Sequence, residues 1–295
     1  MAMRRITKAL ADPGMVPAWL AVRLRPGTYR ARMTRLARRC GLTRPVFVVS
    51  FDCDTDEDTA VLPSLHRKLR AAGLSPTYAA CGEVIAAAPS VYRNLALDGA
   101  DLLNHGFRRH AIRDPRTGRV TSNFFYDGRA PEVWREDIRL GHQALTALVG
   151  RPPRGFRTPH FGTFEAPQEL DALWHTLAQM GYTYSSSTRP LAGWRFGPAF
   201  QRHGIMELPA TGCIDNPVQI VDSWGLVRAT GTSVPLTTAL ESYRRIMSRG
   251  CPMLLNIYLD PADIANDDGV LSALAGLAPY DRGGFDGALA EVRRS

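Results

Sequence analysis

A chain of 295 residues with 45% hydrophobic side chains holds enough apolar material for one large α/β domain, and no stretch approaches the ~20 apolar residues of a membrane-spanning helix. The formal charge of +8 is uneven: residues 1–44 carry eleven basic side chains against the single acid Asp12, so the remainder of the chain totals −2. Five cysteines, an odd number with no CxxC pair, argue against a disulfide framework and, with no export signal in the opening residues, for a reduced, cytoplasmic setting.

Within the basic segment, Tyr29, Met33, Leu36 and Cys40 recur at helical spacing, while Arg30, Arg32, Arg35, Arg38 and Arg39 occupy other positions and Trp19 marks a second apolar patch. This pattern predicts a basic amphipathic helix. It suits either an anionic membrane surface on the inner face of the cell or a packed helix whose arginine face is solvated. Nucleic acid is not an expected partner, because no recognition motif accompanies the charge. The expected division is residues 1–44 as this segment and 45–295 as the catalytic body.

From residue 45 onward, strand-like runs fall at 46–51, 76–80, 101–103, 154–156, 182–185, 205–208 and 253–259, and several of them are separated by helices with period-3.6 apolar faces. The helical stripes through Leu62, Leu65 and Leu69, through Trp134, Ile138, Gly141 and Leu145, through Leu170, Leu173 and Leu177, and through Leu236, Leu240 and Tyr243 end at Gly73, Gly150, Gly181 and Gly250. Glycine is expected there as a left-handed helix terminator. Seven strands with interleaved helices predict a parallel (β/α) barrel, incomplete or distorted because the regular form needs an eighth strand. Residues 114–130, with Gly118 and Gly128, read as a long loop of the functional kind.

Polar clusters follow the strand-like runs: Asp52-Cys53-Asp54, Asn104-His105 with His110, Arg157 with Pro159 and His160, residues 185–187, and Asp260-Pro261. Strand ends of such a fold share one face, so these clusters should form one site. Taken singly, each has a plainer explanation, such as turn and cap aspartates or solvated histidines. Together they present two imidazoles and a carboxylate, a common facial ligand set for a divalent cation.

On this reading His105, His110 and Asp54 are the ligands, with Asp52 beside them as general base and Arg157 keeping Asp52 ionised. The cation and a backbone N–H near His160 would hold an oxyanion. Proton delivery to a departing nitrogen falls to Asp260, if its pKa is raised, or to His160. Pro159 and Trp224 are candidate substrate contacts, Trp224 being equally suited to filling the core, and Cys53 reads as a packed thiol.

These residues resemble the polysaccharide deacetylases of carbohydrate esterase family 4. The resemblance rests on Ser50-Phe51-Asp52-Cys53-Asp54, on Asn104-His105 with His110, and on Arg157-Thr158-Pro159-His160, with lesser echoes at Pro76-Thr77-Tyr78, Gly181-Tyr182 and Glu207-Leu208-Pro209. It spans about residues 45–262. Two departures stand out. The family's histidines are separated by three residues, whereas four lie between His105 and His110, so the loop must bulge. Asp260 occupies the place of the histidine that usually precedes the proline in the last strand.

The resemblance implies a metal-dependent amide hydrolase, with zinc first among the candidate cations and cobalt, nickel or manganese as alternatives. Its reaction would remove an acetyl or formyl group from the nitrogen of an amino sugar; the lack of an export signal and the basic segment suggest an intracellular substrate, a nucleotide- or lipid-linked sugar in glycan or natural-product assembly. Three other readings compete. One is hydrolysis of a cyclic imide or ureide on the same fold. Another is a haloacid-dehalogenase-like phosphatase using Asp52, with Asp267-Asp268 as its late acidic pair. The third is an inactive carbohydrate-binding relic.

Overall fold

The nine residues of β1 (Pro45–Cys53) are all buried, as a near-continuous apolar run requires when a parallel strand is covered on both faces. In the computed structural model, which describes residues 16–114, 116–117, 120–228 and 234–293, this strand is the spine of the molecule. It pairs in parallel with β2 (Thr77–Ala80) on one side and with β10 (Met253–Leu259) on the other. Beyond β2 the sheet continues, still parallel, through β3 (Asp101–Asn104), β6 (Gly155–Phe156), β7 (Tyr184–Ser185) and β9 (Ile205–Glu207). These are the seven expected strands. An eighth, β8 (Phe200–Arg202), forms an antiparallel edge hairpin with β9.

The sheet curls without closing through strand pairing, so the barrel is incomplete. Asn256 bridges the gap between β9 and β10. Its carbonyl accepts from Thr211 N at 2.8 Å, and its side-chain amide donates to the Leu208 and Pro209 carbonyls at 2.9 and 3.2 Å. A buried asparagine here satisfies backbone carbonyls that a ladder would otherwise occupy.

The helices run α1 (Val16–Leu24), α2 (Pro26–Arg39), α3 (Asp56–Ala71), α4 (Gly82–Ala87), α5 (Pro89–Leu97), α6 (Pro131–Val149) and α7 (Pro167–Gln179). After them come α8 (Pro190–Phe196), α9 (Leu236–Met247), α10 (Pro261–Ile264), α11 (Asp268–Ala275) and α12 (Gly284–Arg293). Gly73, Gly150, Gly181 and Gly250 follow α3, α6, α7 and α9 at φ of 80°, 77°, 82° and 72°, the left-handed turn expected of them.

One expectation changes, and of two alternatives for the basic segment the packed helix is the one seen. The stretch 114–130 contains β5 (Val120–Ser122), which pairs antiparallel with β4 (Ala111–Arg113). Its strands are too short and polar to show alternation, and Gly118 lies outside the described residues. The amphipathic helix of the basic segment is present as α2, but its apolar stripe lies on the protein. Leu36 is buried, and Ala37 and Leu42 join Val46, Val48, Leu254 and Phe285 in one core cluster. Tyr29 stacks on Trp194 at 5.3 Å, and Arg32 donates to the Trp194 carbonyl at 3.1 Å. Residues 1–15 lie outside the described residues. Among those described, no helix is long and apolar enough to cross a membrane.

Candidate active site

Strand register brings the polar clusters together. Cys53, Ala80, Asn104, Phe156, Ser185 and Glu207 are successive partners across six parallel strands, so they form one row. The residues just beyond that row, Asp54, His105, Arg157 and Ser186, therefore emerge at one end of the sheet.

Asp52 and Arg157 form the buried centre, with 6% and 1% of their surfaces exposed. The Arg157 guanidinium donates to Asp52 Oδ1 at 2.7 Å, to Ser50 Oγ at 2.7 Å and to Ser186 Oγ at 3.3 Å. Burial raises the Asp52 pKa, while the charge and hydrogen bond of Arg157 pull it back down. Phe161 and Tyr258 stack on each other at 4.8 Å, and the Arg157 guanidinium carbon lies 5.6 and 5.4 Å from their rings. This aromatic pair shields the ion pair from water.

His105 Nδ1 donates to the Arg157 carbonyl at 2.9 Å, which leaves Nε2 as the bare nitrogen. That Nε2 stands 3.5 Å from Asp54 Oδ1 and 3.9 Å from Asp52 Oδ2. The His110 ring meets His105 edge-on at 4.9 Å, and its Nε2 hydrogen-bonds the His105 carbonyl. Burial pushes the His105 pKa down to about 3 and lowers that of His110 as well, so both rings are neutral at pH 7. A cation needs neutral imidazoles.

The loop between the two histidines is held from α6 and β3. Asn104 accepts from Gly106 N at 2.9 Å and donates to the Ile138 carbonyl and the Tyr182 hydroxyl at 2.9 and 2.7 Å. Asp137 accepts from the Phe107 and Arg108 amides and from the Tyr126 hydroxyl at 3.2, 3.0 and 2.8 Å. Gly106 takes φ +80°, which absorbs the additional residue between His105 and His110.

The residue types suit a divalent cation. Asp54 Oδ1 and His110 Nδ1 are buried with no hydrogen-bond partner, which is costly unless something else satisfies them. The Asp54 pKa is driven well up by burial and then by the neighbouring carboxylates Asp52 and Asp260, an excess of negative charge that a cation would relieve. Among the described residues, no group of three or more His, Cys, Asp or Glu side chains is placed to hold a metal ion. The Asp54–His105 pair is in place. His110 turns its Nε2 to the His105 carbonyl across the bulged loop and is not drawn in beside them.

Asp260 lies at the end of β10 with Ser223 donating to its Oδ2 at 2.7 Å and Arg228 at 3.7 Å. Burial raises its pKa well above the usual range against the pull of Arg228, and Asp58 and Asp263 raise it further. His160 adopts φ +56°, uncommon for a residue with a side chain, and its Nε2 donates to the Asn123 carbonyl at 2.8 Å. Its ring stacks on Phe125 at 4.2 Å and meets His110 edge-on at 5.8 Å, and burial lowers its pKa. Pro159, a candidate substrate contact in the sequence, is buried. Trp224 is 42% exposed on a π-turn (Trp224–Arg228), with the Arg228 guanidinium 5.1 Å from its ring centre. Cys53 is fully buried in the core.

Sequence reading missed Ser223, Arg228, Tyr258 and Asp137, and it gave Ser50 and Ser186 no role of their own beyond their motif and cluster. Asp137 had a signal, since it interrupts the apolar stripe of α6 between Trp134 and Ile138. Asp267, invoked by the phosphatase reading, caps α11 by accepting from Val270 N at 3.0 Å.

Residues 39–185 match the family described as polysaccharide deacetylase. The match includes Asp52, Asp54, His105, His110 and Arg157 and stops short of Trp224 and Asp260. No curated protein matches the chain. Among solved structures, it is similar to one described as a polysaccharide deacetylase from Mycobacterium smegmatis, with 17% identity and a TM-score of 0.62 over 86% of this chain and 91% of the other. A polysaccharide deacetylase structure from Pseudomonas aeruginosa PAO1 matches at 14% identity and a TM-score of 0.55, over 84% and 89% of the two chains. Puue allantoinase matches at 13% and 0.55, over 84% and 88%. At these identities the structures share the fold. The matched segment carries the acidic, histidine and arginine clusters that the register aligns, and the chain accordingly belongs to the polysaccharide deacetylase family, hydrolases of amide bonds.

Proposed function

We propose that the protein is a metal-dependent deacylase that removes an acetyl or formyl group from the nitrogen of an amino sugar. The observation that carries this reading is the buried Asp52–Arg157 pair beside two unsatisfied donors, Asp54 Oδ1 and His110 Nδ1. Asp54, His105 and His110 would hold the cation, zinc being the first candidate for a nitrogen and carboxylate set. When bound, the cation supplies Lewis acidity toward water and the amide carbonyl.

The chain's own residues account for the proton transfers. Asp52 Oδ2 faces the ligand side, 3.9 Å from His105 Nε2, and is placed to take the proton of the attacking water. Arg157 grips the other oxygen and holds Asp52 in its accepting form. Asp260, with its raised pKa, is the group suited to give a proton to the departing nitrogen, because a carboxyl retained in its acid form can donate near neutral pH. His160 is the alternative donor from the opposite wall. Trp224, exposed at the rim, is available to stack on a sugar ring.

The test pairs elemental analysis of purified protein with assays on a panel of N-acylated sugars, including a cyclic ureide. Asp52→Asn should lower turnover about 10²–10⁴-fold while bound cation is retained. Full activity in that variant would overturn the role of Asp52. Bound cation with no turnover of any panel member by the unmutated protein would favour a binding relic.

A further inference from the structure

Beside the site lies an open groove of about 480 Å³ lined by Glu83, Phe107, Arg108, Arg109, Asn123, Phe124, Arg129 and Leu140. Three arginines face one acid, and that acid is engaged: Glu83 Oε2 accepts from the Arg109 amide at 2.8 Å. The Arg109 guanidinium is held by Asp56 at 2.7 Å. Arg108 and Arg129 differ. Both are exposed, and among the described residues neither forms a salt bridge, although Arg108 lies within electrostatic reach of Asp137. Arg129 donates Nε to the Phe125 carbonyl at 2.6 Å, which leaves its terminal nitrogens outward. The two guanidinium carbons lie 4.8 and 4.5 Å from the Phe124 ring, so loops 21 residues apart bring two cations to one aromatic side chain.

Two contacts tie this groove to the reacting centre. The Phe124 ring lies 6.4 Å from that of His110, and Phe125, whose carbonyl fixes Arg129, stacks on His160 at 4.2 Å. Phe124 and Phe125 are therefore a wall shared by the groove and the reacting centre. Resting on the deacylase reading, we propose that Arg108 and Arg129 form an anion subsite that selects an amino sugar bearing a phosphate ester. A single guanidinium fork is enough for a planar carboxylate. Two forks from separate loops suit the tetrahedral oxygens of a phosphate dianion.

The test compares N-acetylglucosamine 1-phosphate, neutral N-acetylglucosamine and N-acetylmuramic acid as substrates of the metal-loaded enzyme, with Arg108→Gln, Arg129→Gln and the double variant. The phosphate ester should be preferred in kcat/KM, and the double variant should raise its KM at least about tenfold while kinetics on the neutral sugar stay unchanged. Raising the salt concentration should erode the preference. Calorimetry of the Asp52→Asn enzyme with the phosphate ester and with inorganic phosphate reads binding independently of turnover, and both titrations should weaken in the double variant.

Equal use of phosphate and neutral sugars, or an unchanged KM in the double variant, overturns the subsite. Preference for the muramic acid assigns the groove to a carboxylate and also overturns it. Failure to deacylate any of the three counts against the deacylase reading. Calorimetry then still decides whether the groove binds phosphate.

Discussion

Breaking the Asp52–Arg157 pair from the cationic side probes its energetics. Arg157→Met removes a guanidinium that touches a carboxylate with 8% side-chain exposure, and an orphaned buried charge of this kind costs about 3–5 kcal/mol. Urea unfolding should report that loss together with loss of activity. Asp260 gives a prediction that depends on pH. Its pKa in the folded protein is raised, so its contribution to stability is complete below the ordinary carboxylate value near 3.8 and is lost as pH rises through the folded value. Asp260→Asn cannot ionise. Its melting temperature should therefore gain on that of the unmodified protein as pH increases from 4 to 9. If Asp260 is the proton donor, the alkaline limb of the kcat/KM profile should disappear in the same variant. A stability difference that does not change with pH would contradict the raised pKa.

At the scale of elements, α6 decides whether the histidine loop is correctly placed. Gly141 lies so close to that loop that a Cβ would meet Asn104 Oδ1 at 2.3 Å and the Gly106 carbonyl oxygen at 2.4 Å. Neither atom can retreat, because Asn104 is tied to Ile138 and Tyr182 while Gly106 is tied to Asn104. Gly141→Ala should cost about 1–3 kcal/mol by overpacking and displace the segment bearing His105 and His110. Reduced cation content in the purified variant would show that displacement; unchanged stability and cation content would refute it. In sequence, Gly141 reads only as a member of the helical stripe. The need for a missing side chain arises from the loop packed across it.

For the whole molecule, the described part of the basic segment, residues 16–44, packs on the barrel. Ala37 and Leu42 have no exposed surface, and Arg44 pairs with Glu291 in α12. Removing residues 1–44 should strip these contacts from the barrel and yield a poorly folded product. Circular dichroism melts of the shortened and full-length chains check this, and an unchanged melting temperature would refute it. The same periodicity that predicts an amphipathic helix leaves open what covers its apolar face. Membrane and barrel are equally apolar partners, and only packing distinguishes them.

The seven parallel strands, the glycine helix ends and the placement of Asp52, Asp54, His105 and Arg157 at one end of the sheet were legible in the order of residues, because period, turn chemistry and strand alternation are local properties. Asn256 bridging the open side, Asp137 holding the histidine loop, Ser223 and Arg228 around Asp260, and the Tyr258–Phe161 cover over Arg157 were decided by tertiary structure. Each joins residues distant in sequence, and hydrogen bonding or shielding of a buried charge depends on which surfaces meet once the chain has folded.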